Sequence, residues 1–127
     1  MKRYGRLPAF ALACLLAPSV ALAQGIDLSK PYGNEAGCKN GKGQGPVTDE
    51  MIFLTDTTLV TATSACTFVQ RVSAPDGTMV ATSLCTLEGE QGRAIVFFSV
   101  APSKTNPQAL VISDEYGAPF DEITACP

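Results

Sequence analysis

Apolar residues along this chain occur in short runs, and no window of useful length shows the 3.6-residue period of an amphipathic helix. From residue 50 onward the runs are rich in Thr, Val, Ile and Phe, which favour strands. We therefore predict strands at 51–54, 59–72, 79–87, 94–101, 109–113 and 120–126. The clearest turn between them is Pro75-Asp76-Gly77, where Pro presets φ and Gly accepts a positive φ.

The strand at 94–101 is apolar on both faces, because Ile95 and Phe97 alternate with Val96 and Phe98. This pattern predicts a central strand that is covered on both sides. About six strands with short connections predict an all-β fold, a small antiparallel meander that forms a barrel or a sandwich.

Residues 24–46 differ from the rest of the chain. They contain six of the eleven glycines and few apolar residues, so we predict an irregular N-terminal segment there. The β-domain then covers residues 47–127, and no repeat or composition shift marks a second domain.

The first 23 residues have the three parts of a secretory signal peptide. Basic residues come first, an apolar run follows at 9–20, and Ala21-Leu22-Ala23 gives the small-x-small cleavage pattern. The apolar run is shorter than the roughly 20 residues that span a bilayer. We predict cleavage after Ala23, which discards Cys14, and export to the periplasm or the exterior of a bacterial cell. A lipoprotein signal ending at Cys14 is disfavoured because almost no apolar stretch would precede it.

Cleavage after Ala23 also changes the charge of the protein. It removes three of the nine Lys and Arg residues, so that six remain against twelve Asp and Glu, a net charge of −6. An acidic domain without a basic run argues against binding to nucleic acid or to anionic membrane surfaces. No other segment is long and apolar enough to predict a membrane span.

Four cysteines remain after cleavage: Cys38, Cys66, Cys85 and Cys126. An even number of widely spaced cysteines in an exported chain predicts two disulfides. If the turn at 74–77 pairs Ser73 with Thr78, then Cys66 lies opposite Cys85, with Phe68 and Val72 on the same face. Cys38 would then pair with Cys126. A zinc site is disfavoured because the chain has no His and no C-x-x-C pair.

Carboxylates are the only abundant reactive groups. Without His, and with its cysteines oxidised, the chain lacks the usual nucleophile–base pairs, so we predict no catalytic residues and no cofactor. Glu88 and Glu90 flank a turn, where solvated side chains are the simpler interpretation.

The last predicted hairpin contains the one candidate site for a cation. If it closes across Gly117 and Ala118, Asp114 and Asp121 lie nearly opposite each other, and like charges across a ladder are destabilising. A bound Ca²⁺ would relieve the repulsion, and so would splayed, solvated side chains. The cation-site hypothesis includes four carboxylates: Asp114, Glu115, Asp121 and Glu122.

The chain resembles small exported four-cysteine β-proteins of unknown function from Gram-negative bacteria. The resemblance covers Gly37-Cys38-Lys39, Cys66-Thr67-Phe68, Cys85-x-x-Glu88-Gly89-Glu90 and the Cys126-Pro127 end. In size, compartment and strand content it is also similar, more distantly, to periplasmic lysozyme inhibitors.

These observations lead to three functional hypotheses. The first is a non-catalytic binding module for a protein or envelope component, where the acidic charge suits a basic partner such as lysozyme. The second is a structural or stress-related envelope protein without a discrete ligand. The third, an enzyme, is disfavoured by the missing groups. A contiguous exposed apolar or acidic patch would favour the binding module.

Overall fold

The structure is a computed structural model that describes residues 25–127, and the predicted signal peptide lies outside these residues. The described part contains eight strands and one short helix. In chain order they are β1 (Tyr32–Gly33), α1 (Glu35–Gly41), β2 (Ile52–Leu54), β3 (Thr58–Thr61), β4 (Ser64–Ser73), β5 (Met79–Leu87), β6 (Ala94–Pro102), β7 (Ala109–Ser113) and β8 (Pro119–Ala125).

Each strand pairs antiparallel with the next, and β1 also pairs antiparallel with β8, so the sheet is a closed barrel. The predicted all-β antiparallel fold is confirmed, and a barrel forms instead of a sandwich. The number of strands is eight and not six, partly because the predicted strand at 59–72 is two strands. A tight turn divides it, in which the Thr61 hydroxyl oxygen accepts the Ser64 amide at 3.1 Å.

The glycine-rich segment contributes two elements to the fold, so the prediction that 24–46 is irregular is wrong for residues 32–41. Tyr32 pairs with both Leu54 and Ala125, and β1 thereby closes the barrel. Asn34 then caps α1, because its side-chain oxygen accepts the Gly37 amide at 2.8 Å. The barrel therefore begins before residue 47.

The core lies inside the barrel and is formed by alternate residues of the strands. Ser83 is the one fully buried polar side chain among them, and its hydroxyl has no hydrogen-bond partner. Leu28 packs into the core from the segment that precedes β1. The most deeply buried residues are Leu54, Ala81, Ser83, Cys85, Val100, Ala109, Ile112 and Ile123.

The structure contains two disulfides, and they are the two pairs predicted from the sequence. Cys66–Cys85 joins β4 to β5 inside the core, and Cys38–Cys126 joins α1 to the end of the chain. Disulfides persist in oxidising compartments, so this pair of bonds indicates an environment outside the cytoplasm.

The register that brings Cys66 to Cys85 differs from the predicted one near the turn. Ser73 pairs with Met79 and not with Thr78, and a bulge between Phe68 and Gln70 shifts the register by one residue. The bulge reverses the face on which later residues of β4 lie. Val72 is therefore 55% exposed, and its predicted position on the Cys66 face is wrong.

Strand β6 is covered on one face only, so the predicted double cover is also wrong. Phe98 and Val100 are buried in the barrel, whereas Ile95 is 65% and Phe97 46% exposed. A sheet closed into a barrel has its own interior as its core, and nothing in residues 25–127 packs on the outer side of β6. Within the same residues, no helix is long and apolar enough to cross a membrane.

Candidate functional site

The two ends of the barrel differ in charge. At one end lie the connections 34–51, 62–63, 88–93 and 114–118, with seven carboxylates and three basic residues. At the other end lie 25–31, 55–57, 74–78 and 103–108, with three carboxylates and two basic residues. We call the first the acidic end. Its carboxylates are Glu35, Asp49, Glu50, Glu88, Glu90, Asp114 and Glu115, and its basic residues are Lys39, Lys42 and Arg93, of which Lys39 forms an ion pair with Glu35.

An open groove of about 560 Å³ lies at the acidic end. Its lining includes Asp49 and Glu50 from the segment before β2, and Phe120 and Asp121 from β8. None of its lining residues is basic, so the three carboxylates have no counter-ion within the groove. The remaining lining residues are Asn34, Met51, Ile52, Thr61, Ala62 and Thr63.

Asn34 and the buried start of β2 fix the position of Asp49 and Glu50. The Asn34 side-chain amide donates to the Glu50 carbonyl, and its oxygen accepts the Ile52 amide at 3.1 Å. Met51 is 2% and Ile52 7% exposed, so the end of this segment is held in place by burial. Asp49 and Glu50, which directly precede these two buried residues, are exposed and remain in solvent at the rim of the groove.

The premise of the predicted cation site, with Asp114 opposite Asp121, is wrong. Asp121 pairs with Ile112, and Ser113 pairs with Pro119. Asp114 lies in the turn instead, where its carboxylate accepts the amides of Tyr116 and Ala118 at 3.0 and 2.9 Å. The hairpin is closed by a longer turn than predicted, so the like charges do not face each other.

The other three carboxylates of that hypothesis have separate surroundings. Glu115 lies beside the exposed Tyr116, and a hydrogen bond from the phenol to its carboxylate, together with its negative charge, raises the pKa of the phenol. Asp121 lines the groove and accepts the amide of Glu122 at 2.7 Å. Glu122 accepts the hydroxyl of Ser103 at 3.0 Å. Among residues 25–127, no three His, Cys, Asp or Glu side chains are grouped so that they could hold a metal ion.

Sequence analysis did not identify the groove. Asp49 and Glu50 are adjacent in the chain, but they precede a short strand and carry no motif. Their proximity to Asp121, about 70 residues later, depends on the closure of the barrel between β1, β2 and β8. Glu88 and Glu90 lie in the β5–β6 turn, as predicted, and both are exposed.

A second candidate surface, which carries no charge, lies on the side of the barrel. The residues of β4, β5 and β6 that point outward include five large apolar side chains and no charged one. Val72 lies opposite Val80, and Leu84 lies opposite Ile95. We call this surface the outer face of β4–β6 and define it by Val72, Val80, Thr82, Leu84, Ile95 and Phe97.

Comparisons with known proteins give no assignment. No family model, no curated protein and no solved structure matches this chain.

Proposed function

We propose that this protein is an exported, non-catalytic binding module that docks on a basic protein through the acidic end of its barrel. The observation that carries the proposal is the unequal charge of the two ends. Seven carboxylates and three basic residues lie at one end, against three and two at the other, and the groove at the acidic end is lined by three carboxylates and no basic residue.

Electrostatics gives the physical reason for a basic partner. Carboxylates that lack counter-ions create a negative potential that attracts a cationic surface and accelerates its association. The groove is large enough to receive a Lys or Arg side chain, and the exposed ring of Phe120 offers such a side chain an aromatic contact. Lysozyme is one basic protein that an exported bacterial protein can encounter and that offers such a cationic surface.

The non-catalytic part of the proposal rests on the reactive groups of the chain. It has no His, and Cys38, Cys66, Cys85 and Cys126 are all bonded in disulfides. Nucleophilic catalysis generally needs an activated Ser, Cys or Thr beside a base. Export is supported by the signal-peptide pattern of residues 1–23 together with the disulfides.

Calorimetric titration of the purified protein with lysozyme tests the proposal, with cytochrome c as a second basic probe. Two matched triple variants each remove three negative charges. The first variant carries its substitutions at the groove, and the second carries them at the opposite end of the barrel. They are Asp49→Asn/Glu50→Gln/Asp121→Asn and Asp27→Asn/Asp56→Asn/Asp76→Asn. We expect the groove variant to lose about tenfold in affinity or more and the control variant about twofold, because nearby charges dominate at physiological salt.

The proposal is overturned if neither basic protein binds, which favours a structural role without a discrete ligand. It is also overturned if both triple variants lose affinity equally, since net charge alone would then account for the binding. Affinity that does not fall as salt rises from about 0.05 to 0.3 M would contradict electrostatic docking in the same way.

A further inference from the structure

We infer that the Cys38–Cys126 disulfide is a site of thiol–disulfide exchange, which a dithiol protein opens and re-forms while the barrel stays folded. The Cys66–Cys85 disulfide is closed to exchange until the barrel unfolds. The inference does not depend on the proposed binding of a basic protein. Four observations support it: the access of solvent to each bond, the strand pairings around each bond, the charge beside Cys38 and the order of the four cysteines.

The two disulfides differ in their access to solvent. Cys66 is 5% and Cys85 0% exposed, and both belong to the core cluster inside the barrel. Cys38 is 8% exposed, but it lines an open groove of about 390 Å³, and Cys126 is partly exposed. Exchange requires that a thiolate reach a sulfur atom. The groove therefore gives a dithiol a route to the Cys38–Cys126 bond, whereas the barrel wall blocks the route to the other bond.

The strand pairings around the two bonds differ in the same sense. Cys66 pairs with Leu59 and Cys85, and Cys85 also pairs with Ala94, so exposing this bond means separating strands β3 to β6. The other bond joins α1 to the residue that follows β8, and neither of its cysteines belongs to a strand. Local opening in a folded protein costs less than global unfolding where few contacts break. Opening of the Cys38–Cys126 bond thus leaves every strand pairing from β2 to β8 in place.

A positive charge beside the accessible bond favours exchange. Glu35, Lys39 and Lys42 line the groove together with Cys38, and Glu35 pairs with Lys39 at 2.6 Å. The Lys42 ammonium is not part of this ion pair, and it donates to the carbonyl of Pro127, the residue next to the second cysteine of the bond. A nearby ammonium stabilises a thiolate, which is both the attacking and the leaving species in exchange.

The order of the cysteines explains why a dithiol protein would act on this bond. The Cys66–Cys85 pair is nested within the Cys38–Cys126 pair. In a chain that emerges from its N-terminal side, Cys38 and Cys66 are available to each other before Cys126 is. A bond formed between these two early cysteines must be exchanged before the observed pairs can form. Cys38 is therefore the cysteine whose partner a dithiol protein has to correct, and it remains accessible in the folded barrel.

The exchange has a simple balance of atoms and electrons. A thiolate of the dithiol attacks the Cys126 sulfur, forms a mixed disulfide and releases Cys38 as a thiolate. The second thiolate of the dithiol then attacks its own neighbouring sulfur and releases Cys126. Two electrons pass from the dithiol to the protein disulfide, and the two protons of the dithiol end on the two cysteines. The reverse steps re-form the bond.

Reduction of the folded protein followed by labelling tests the inference. The purified, disulfide-bonded protein is treated with dithiothreitol or with reduced thioredoxin, and free thiols are trapped with N-ethylmaleimide at successive times. Peptide mass spectrometry then measures each labelled cysteine, so that the buried bond is the control within the same molecule. We expect Cys38 and Cys126 to be labelled at least about a hundredfold faster than Cys66 and Cys85, with both reductants.

The dependence of the two rates on urea keeps the test separate from the stability of the protein. At urea concentrations below the unfolding transition, the rate at Cys38–Cys126 should stay nearly constant, because only local opening is needed. The rate at Cys66–Cys85 should rise with the slope of global unfolding. A species with two labelled cysteines, at positions 38 and 126, should accumulate before any species with four.

Three results would overturn the inference. The first is equal rates at the two bonds, or a faster rate at Cys66–Cys85. The second is the appearance of four labelled cysteines without the two-label species, which would mean that reduction proceeds by unfolding of the whole barrel. The third is reduction of Cys38–Cys126 by dithiothreitol but not by thioredoxin, which would exclude a dithiol of protein size from the groove.

Discussion

Cys66 and Cys85 face each other inside the barrel, with 4.0 Å between their Cα atoms, and both are buried. Their disulfide closes a short loop of the chain, with 19 residues of sequence separation, whereas Cys38–Cys126 spans 88. The two bonds therefore constrain the unfolded chain to different extents, and this leads to the first prediction.

Replacing each disulfide by two alanines should destabilise the protein, and the longer loop should matter more. In the chain-entropy model we expect losses of about 3 kcal/mol for Cys66→Ala/Cys85→Ala and about 4.5 kcal/mol for Cys38→Ala/Cys126→Ala. Urea unfolding of both variants beside the parent measures the difference. A larger loss for the Cys66–Cys85 variant would show that packing in the core outweighs loop entropy.

Asn34→Ala should cost about 2–3 kcal/mol of unfolding free energy. The change removes the N-cap of α1, leaves the Ile52 amide without its acceptor and removes a donor to the Glu50 carbonyl. Thermal unfolding of the variant measures the loss. Asn40→Ala is the control, since Asn40 makes one such bond, to the Gly45 carbonyl at 3.1 Å, and should cost about 1 kcal/mol or less. Equal losses of unfolding free energy in the two variants would contradict the conclusion that the hydrogen bonds of Asn34 stabilise the fold more than that of Asn40.

Gly37→Ala should prevent α1 from packing against β2. A Cβ atom at Gly37 would lie 1.8 Å from the Ile52 carbonyl oxygen, and this backbone atom cannot move aside without disturbing β2. We expect a loss of about 3 kcal/mol, measured by urea unfolding. At Gly45 the nearest atom is the Lys39 Cβ at 3.1 Å, so Gly45→Ala should cost less than about 1 kcal/mol. Similar stabilities of the two variants would disprove this close approach.

Ser83→Ala should leave stability unchanged or raise it by up to about 1 kcal/mol. The buried Ser83 hydroxyl has no hydrogen-bond partner, so removing it abolishes a desolvation cost. Ser64→Ala serves as the control, because it breaks a 2.8 Å hydrogen bond with the Thr61 hydroxyl and should be destabilising. A loss of more than about 1 kcal/mol in Ser83→Ala would mean that the hydroxyl has a partner, such as a buried water.

Asp76 should make the stability of the β4–β5 turn dependent on pH. The Thr78 amide donates to its carboxylate at 2.9 Å and holds its pKa below the ordinary value of 3.8. Because the folded pKa is lowered, the stabilisation is present above pH 3.8 and is lost as the pH falls through the folded pKa. NMR titration should give a pKa below 3.8, and unfolding of Asp76→Asn should depend less on pH in this range. A pKa of 3.8 or higher would contradict the hydrogen bond.

The disulfide partners could be predicted although the local register could not. The sequence places a turn at Pro75-Asp76-Gly77. The loop is one residue longer than the predicted pairing of Ser73 with Thr78 assumes, and the extra residue of the bulge in β4 restores the predicted register further along the strand. The two deviations cancel at Cys66 and not at Val72. Bulges depend on how neighbouring strands twist and pack, and no residue of this stretch marks one.

What the sequence determined by itself is local or compositional: the strand-rich alternation, the turns, the set of four cysteines, the lack of His and the acidic balance. The closed barrel, the role of β1, the groove that joins Glu50 to Asp121 and the outward direction of Phe97 were decided by the tertiary structure. The physical reason is that hydrophobic periodicity reports which residues alternate within a strand. Which strands meet, and which apolar face stays uncovered, depends on how strands pair across most of the chain.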